Sequence, residues 1–321
     1  MSRPKKDDRT WLEEHLSDLM KSGKQVLGFD ENLPARLPTY DKTGYWTPLK
    51  LICLKYYLPV YLNILCRRKS VGYVDPFSGP GLNLIGKRKM PLPGSPLVPL
   101  VHCNTSNKFK YHLFGDTDKD YVDALNKRLD YMASSQICDF DRETGTAVQL
   151  DANDMLKSAP NLLTTNNINH CLLFVDPEGL QLDFESLDYF SQNFTQSDWM
   201  ILFPSAGLNR LMGVNDHQSL SRIRRFIGPG GETLLKGSTE EQAIRIFREN
   251  LKSLGKDISM EIAITGTNSF HYHLILAVRE TWAKSPWFRA WIEAKRRIEK
   301  LDHSVVDIVA QQIDGIQSRL D

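Results

Sequence analysis

Four aspartates recur at matching places along the middle of the chain: Asp75, Asp116, Asp151 and Asp176. Each closes a short apolar run, at residues 71–75, 111–116, 147–151 and 171–176. Such runs read as buried parallel strands. In an open parallel sheet the ligand crevice lies outside the carboxyl ends of the strands. Carboxylates there suit ribose hydroxyls, an adenine amino group or a cationic ligand. An aspartate after a strand also caps the next helix, and both readings stand for each residue alone. Four in succession favour the crevice.

The first aspartate opens the segment Asp75-Pro-Phe-Ser-Gly-Pro-Gly81. Glycines at 79 and 81 allow positive φ and close approach of the backbone to a ligand. The dinucleotide fingerprint fits poorly, because Leu84 stands at the third glycine position and a loop follows where a helix is required. A nucleoside without phosphates suits the segment better than a dinucleotide.

Asp176-Pro-Glu-Gly179 is a second constellation. It resembles the Asp-Pro-Pro-aromatic motif of amino-group methyltransferases, in which the aspartate and a backbone carbonyl accept hydrogen bonds from the target amine. Glu178 replaces the second proline and Gly179 the aromatic. Asp176 and Glu178 are the candidate catalytic pair; an ordinary strand-to-helix turn is the alternative. Asn209 and Arg210 follow the fifth strand as candidate substrate or phosphate contacts, or as an ion pair that anchors a loop. His271 and His273 face one side of a strand, but no third metal ligand accompanies them, so no metal site is expected. The clusters Lys87–Lys89, Arg222–Arg225 and Arg296–Arg297 can contact a phosphate backbone or form solvated surface. Trp46, Trp282, Trp287 and Trp291 can stack on bases or anchor a core.

The elements that position these groups alternate. Residues 10–21 read as an amphipathic helix. A loop runs to Gly44, and Thr47-Pro48 reads as the cap and first turn of a long helix that Pro59 should kink or divide. Residues 82–93 read as a basic loop, and Gly94-Ser95-Pro96 as the start of a helix capped by Ser95. Strands then alternate with helices, and residues 198–203 form the fifth strand. Residues 207–236 read as irregular, 239–254 as a helix, and 259–265 with 272–278 as an antiparallel hairpin. The expected fold class is α/β: a Rossmann-like, mainly parallel sheet with an antiparallel edge hairpin, plus N- and C-terminal helices. The expected division is a helical segment to residue 70, the sheet domain over 71–280 and a helical tail from 281.

Composition narrows the class. The chain has 321 residues, and a net charge of +1 offers no global field for nucleic acid, which leaves only local patches. Five scattered cysteines without a CxxC fit a reducing cytoplasm better than a disulfide framework or a zinc site. No apolar run reaches ~20 residues, so no membrane span is expected. The polar start of the chain does not read as a secretory signal.

The order of motifs resembles that of Rossmann-like methyltransferases. That resemblance implies S-adenosylmethionine (SAM) as cofactor. Asp75, Phe77, Ser78, Gly79 and Gly81 would be its first contacts, with Asp75 near the methionine end. Asp116 or Asp118 would hold the ribose, and Asp151 with the Ala152 backbone would read adenine. More narrowly, the chain resembles the three-Cys-motif partner family (TcmP) over roughly residues 40–280. The carriers are Trp46–Lys50, Tyr73–Gly81, Gly94–Pro96, Phe174–Gly179, Phe203-Pro204 with Asn209-Arg210, and the strand at 272–278. The glycine loop and the Gly-Ser-Pro also resemble adenine-N6 methyltransferases of large-subunit rRNA. The family name implies a partner protein with a three-cysteine motif. Three readings follow: a SAM-dependent methyltransferase acting on an amino group of nucleic acid, a non-catalytic accessory protein with the same fold, and a magnesium-dependent nucleotide-processing enzyme.

Overall fold

The computed structural model describes residues 7–37, 44, 46–102, 107–135, 137–214, 216–234, 237–265, 271–280, 286–301, 303–313 and 315. Cys103 and Trp282 lie outside the described residues, as does the side chain of Trp287.

The chain opens with two helices, α1 (Asp8–Leu27) and α2 (Thr47–Leu65). Strand β1 (Val71–Asp75) leads into a hairpin, β2 (Leu82–Ile85) and β3 (Met90–Pro93), and a single turn, α3 (Val98–Val101). Alternation follows: β4 (Tyr111–Asp116), α4 (Lys119–Ser134), β5 (Gly145–Gln149), α5 (Ala152–Thr165), β6 (His170–Val175), α6 (Phe184–Asn193) and β7 (Ser197–Phe203). The chain continues through α7 (Ser205–Val214), α8 (His217–Ile227), α9 (Glu240–Ser253), β8 (Ile258–Thr265), β9 (His271–Val278), α10 (Pro286–Ile298) and α11 (His303–Ile313).

Seven strands form one sheet in the order β5-β4-β1-β6-β7-β9-β8. Strands β5, β4, β1, β6 and β7 are parallel to one another, and β9 pairs antiparallel with β7 and β8. This is the expected α/β, Rossmann-like sheet with an antiparallel edge hairpin. The chain winds from β1 outward through β4 and β5, then returns to β6 and winds the other way. The switch point, and hence the crevice, lies between β1 and β6.

Strand side chains alternate between two cores. Tyr73 and Leu172 face α1, α2, α4, α10 and α11, while Val74 and Leu173 face α5 to α9. No described helix is long and apolar enough to cross a membrane.

Several local expectations are corrected. Helix α1 runs to Leu27, through Ser22 and Gly23. Gly23 lets it press on β3, since a Cβ there would stand 2.2 Å from the Pro91 carbonyl oxygen. Pro59 does not divide α2: it sits on an exposed face, where water can satisfy the carbonyl its ring leaves unbonded. Thr47 is the first helical residue rather than the cap. Residues 82–93 form a hairpin, with Gly86 (φ 71°) in its turn. Ser95 caps no helix; its carbonyl accepts the Tyr73 hydroxyl at 3.1 Å. The stretch 207–236 is largely helical, because Ile223, Phe226 and Ile227 give α8 a buried stripe. Asp75 and Asp116 end their strands, but Asp151 and Asp176 lie just beyond theirs.

Candidate functional site

The loop after β1 turns through Gly79 (φ 59°) and Gly81 (φ 82°), both in the left-handed region that L side chains avoid. It runs straight into the β2–β3 hairpin, so no helix N-terminus follows it. Ser78 fixes the loop to β4, donating from its amide (2.9 Å) and hydroxyl (3.0 Å) to the Gly115 carbonyl. Phe77 packs partly buried against the core on the α5–α9 face.

Asp75 is fully buried. The Phe77 amide donates to its Oδ1 at 3.2 Å, while Oδ2 is buried and has no hydrogen-bond partner among the described residues. Burial pushes its carboxyl up to about 7, against the opposing pull of the Ser95 side chain. Asp116 accepts from the amides of Gly79 (3.0 Å) and Asp118 (2.9 Å), which ties the glycine loop to the end of β4. Asp118 caps α4 through the amides of Asp120 and Tyr121, and Asp151 caps α5 through the amide of Asn153. Ala152 is the buried first residue of α5. The capping geometry is thus present at 118 and 151, which are both exposed.

Asp176 is only 5% exposed and forms an ion pair with Lys50 of α2. Glu178 pairs with Arg36 at 2.7 Å. At Gly179 an added Cβ would meet nothing within 4 Å. These groups border a cleft with about 860 Å³ of open space. Its other walls include Trp46, Asn83 of the hairpin, Arg210, His271 and Tyr272. A narrow recess lies between the glycine loop and the cations; Ser78, Gly81, Ser95, Arg36, Lys50 and Asp176 line it.

Arg36 has no periodic signal in the sequence. It belongs to a strap, residues 33–37, that runs along β2: its amide donates to Leu82 at 2.8 Å and its carbonyl accepts from Leu84 at 2.9 Å. Arg128 of α4, wholly buried, clamps the strap to the glycine loop by donating to the carbonyls of Pro34 (2.8 Å), Pro80 (2.5 Å) and Leu33 (3.4 Å). Burial lowers the Arg128 guanidinium to about 10, which leaves it charged at neutral pH. For Arg36, burial works against the charge, but Asp176, Glu178 and Asp116 outweigh it and raise its pKa. Lys50 had a signal, since it ends the Trp46–Lys50 motif.

Helix α7 separates Asn209 from Arg210. Arg210 lines the cleft, whereas Asn209 Nδ2 donates to Glu240 at 3.0 Å. Glu240 also pairs with His271 and, at 3.1 Å, with His273 Nδ1, which lies 2.9 Å from Ser205 Oγ. Burial opposes the charge of Glu240, but these hydrogen bonds prevail and hold it at about 2. The sequence showed the two histidines and not their carboxylate, which arrives on a helix 31 residues away. No group of three His, Cys, Asp or Glu side chains among the described residues is arranged to hold a metal ion. Of the basic clusters, Lys87, Arg88 and Lys89 are exposed on the hairpin turn. Arg297 is instead buried against Asp8 and Glu293. Trp291 is buried in the core.

No protein-family model matches the sequence, and no curated protein matches it significantly. Solved structures do. A Legionella pneumophila protein of the DUF519 family is 12% identical, with a TM-score of 0.47, covering 81% of this chain and 94% of its own. Magnesium protoporphyrin IX methyltransferase from Synechocystis, with bound SAM, is 11% identical with a TM-score of 0.38, covering 87% and 100%. The N-terminal domain of human METTL16, in complex with SAH, is 11% identical with a TM-score of 0.34, covering 86% and 96%. At these scores the likeness says nothing of reaction or substrate.

Proposed function

We propose that the chain is a SAM-dependent methyltransferase that acts on an amino nitrogen, one carried by nucleic acid. The observation that carries this reading is the glycine loop's exit into a hairpin at the switch point of the sheet. A pyrophosphate needs a helix N-terminus there, and the hairpin supplies none. The crevice instead offers charges of both signs: Asp176 and Glu178 with Lys50 and Arg36. That mixture suits a nucleoside bearing an amino acid. The residues fit such a group: Asp75 Oδ2 is a buried acceptor that no donor among the described residues reaches, and Gly79 presents no side chain toward Arg36 across the loop.

When bound, SAM supplies an electrophilic methyl group. The chain's own task is to hold an acceptor nitrogen in line with it and exclude water. Asp176 accepts hydrogen bonds from the acceptor amine once Lys50 yields, and Glu178 stands beside it as a second acceptor. Gly179 leaves open the space where an aromatic would stack on a base. The exposed cations Lys87, Arg88 and Lys89, at the tip of the hairpin that walls the cleft, favour a phosphate-bearing substrate. The test is calorimetry with SAM on the wild type and on Gly79→Arg, each checked for folding. Wild-type protein that gives no binding heat sinks the reading.

A second reading is favoured by the same ion pairs. With Asp176 held by Lys50 and Glu178 by Arg36, the amine site is already filled by the protein's own cations. On this reading the chain is a non-catalytic accessory, and the TcmP resemblance supplies its partner, a protein with a three-cysteine motif. SAM binding without methyl transfer to DNA, RNA or protein, alone or with such a partner, selects it.

A further inference from the structure

We infer that Arg36 and Lys50 form a carboxylate-binding subsite beside the glycine loop, so that the crevice selects a nucleoside carrying an α-amino acid over the same nucleoside without the carboxylate. The inference rests on the SAM reading and adds the residues that read the amino-acid end.

Both cations come from outside the sheet and line both the cleft and the narrow recess at its glycine-loop end, whose walls also include Ser95, Asn83 and Asp176. Arg36 Nη1 stands 3.6 Å from where a Cβ of Gly79 would be, so the guanidinium lies directly over the loop. Its side chain is 22% exposed and that of Lys50 13%. Among the described residues each makes one side-chain ion pair, Arg36 through Nη2 to Glu178 and Lys50 to Asp176. A guanidinium carries five donors and an ammonium three, so both keep capacity for a further anion.

Cations kept in a half-closed cavity need a reason, because taking them out of water is unfavourable unless they are fully paired. A planar guanidinium beside an ammonium is the arrangement that binds a carboxylate through a fork and a point charge. Arg36 is held in place for this: its backbone is bonded to β2 on both sides, and Arg128 fixes the carbonyls just before it. An incoming carboxylate also competes with Asp176 for Lys50. Binding at this subsite therefore loosens the pair that blocks the amine acceptor, which couples the two halves of the site.

The experiment compares binding of SAM, decarboxylated SAM and methylthioadenosine by calorimetry to the wild type, Arg36→Met, Arg36→Lys and Lys50→Met. Wild-type protein is expected to prefer SAM. Arg36→Met and Lys50→Met are expected to lose about ten- to hundredfold in SAM affinity, the range for hydrogen bonds to charged groups. Their affinity for methylthioadenosine, which also reports folding, is expected to stay near that of the wild type. Arg36→Lys should recover part of the loss. Equal wild-type affinity for SAM and decarboxylated SAM, or an undiminished preference in both Met variants, overturns the subsite and leaves the SAM reading intact. A wild type that binds none of the three overturns both.

Discussion

Gly94 lies directly on Gly81: its amide donates to the Gly81 carbonyl across 2.7 Å, and a Cβ at 94 would stand 2.9 Å from the Gly81 carbonyl carbon. The hairpin thus returns its own backbone onto the glycine loop, and the Gly-Ser-Pro segment is the point of contact. Backbone on both sides leaves no flexible side chain to give way. Gly94→Ala is expected to destabilise the fold by ~1–3 kcal/mol, as overpacking does, and to weaken nucleoside binding. Gly179→Ala, with open space around its Cβ, is expected to stay within about 0.5 kcal/mol of wild type. Urea unfolding of the two variants side by side checks the contrast, and equal midpoints would contradict it.

The Lys50–Asp176 pair is nearly buried on both sides. Removing one member strands the other, which costs about 3–5 kcal/mol in such settings. Lys50→Met and Asp176→Asn are therefore each expected to lower stability markedly. The double variant is expected to lose less than the sum of the two. A double-mutant cycle measures the coupling directly; additive losses would show that the pair is solvated.

The sheet was legible in the sequence because its parallel strands are short apolar runs, four of them with an aspartate at or just beyond the end. The hairpin at 82–93 was not: its strands are four residues each, two of them prolines, and charge dominates the turn. The helix α8 was hidden by its arginines, although Ile223, Phe226 and Ile227 mark its buried side. Within the site, Asp75, Gly79, Gly81 and Asp176 stood out because they close strands or begin turns. Arg36, Arg128 and Glu240 did not, because each acts across the fold. Arg128 binds carbonyls up to 95 positions away and Arg36 a carboxylate 142 positions away. No local pattern encodes such pairings.

Asp75 sets a pH dependence whose sign follows from its burial. Its carboxyl sits at about 7 in the fold against 3.8 in the ordinary state. Between those values the folded chain binds more protons than the unfolded one, so stability falls as pH rises through the window. The slope is at most ~1.4 kcal/mol per pH unit for one group. Glu240 acts the other way and lower down: its stabilisation is complete above 4.5 and is lost as pH falls toward 2. Asp75→Asn removes only the first effect. Urea midpoints from pH 4 to 8 are expected to converge for wild type and Asp75→Asn at the acid end, with the variant gaining relative stability toward pH 7. Parallel curves would mean that Asp75 stays ionised.

Arg128 ties the strap to the glycine loop, and its replacement separates local from global stability. Its guanidinium holds three carbonyls, at Leu33, Pro34 and Pro80, in a fully buried site. Hydrogen bonds to a charged donor contribute ~1.5–3 kcal/mol each, so Arg128→Met removes more than one such increment from the strap. The amides that report this are those of Arg36 and Leu84, which bond to one another's strands. Amides of β6, at the sheet centre, report global opening instead. Hydrogen exchange at Arg36 and Leu84 is expected to speed up at least about tenfold more than at β6. An equal change at both places would show that Arg128 stabilises the whole fold and gives the strap no special hold. With the strap loosened, Arg36 no longer stays over Gly79, so the same variant is expected to lose SAM preference without any change at Arg36 itself.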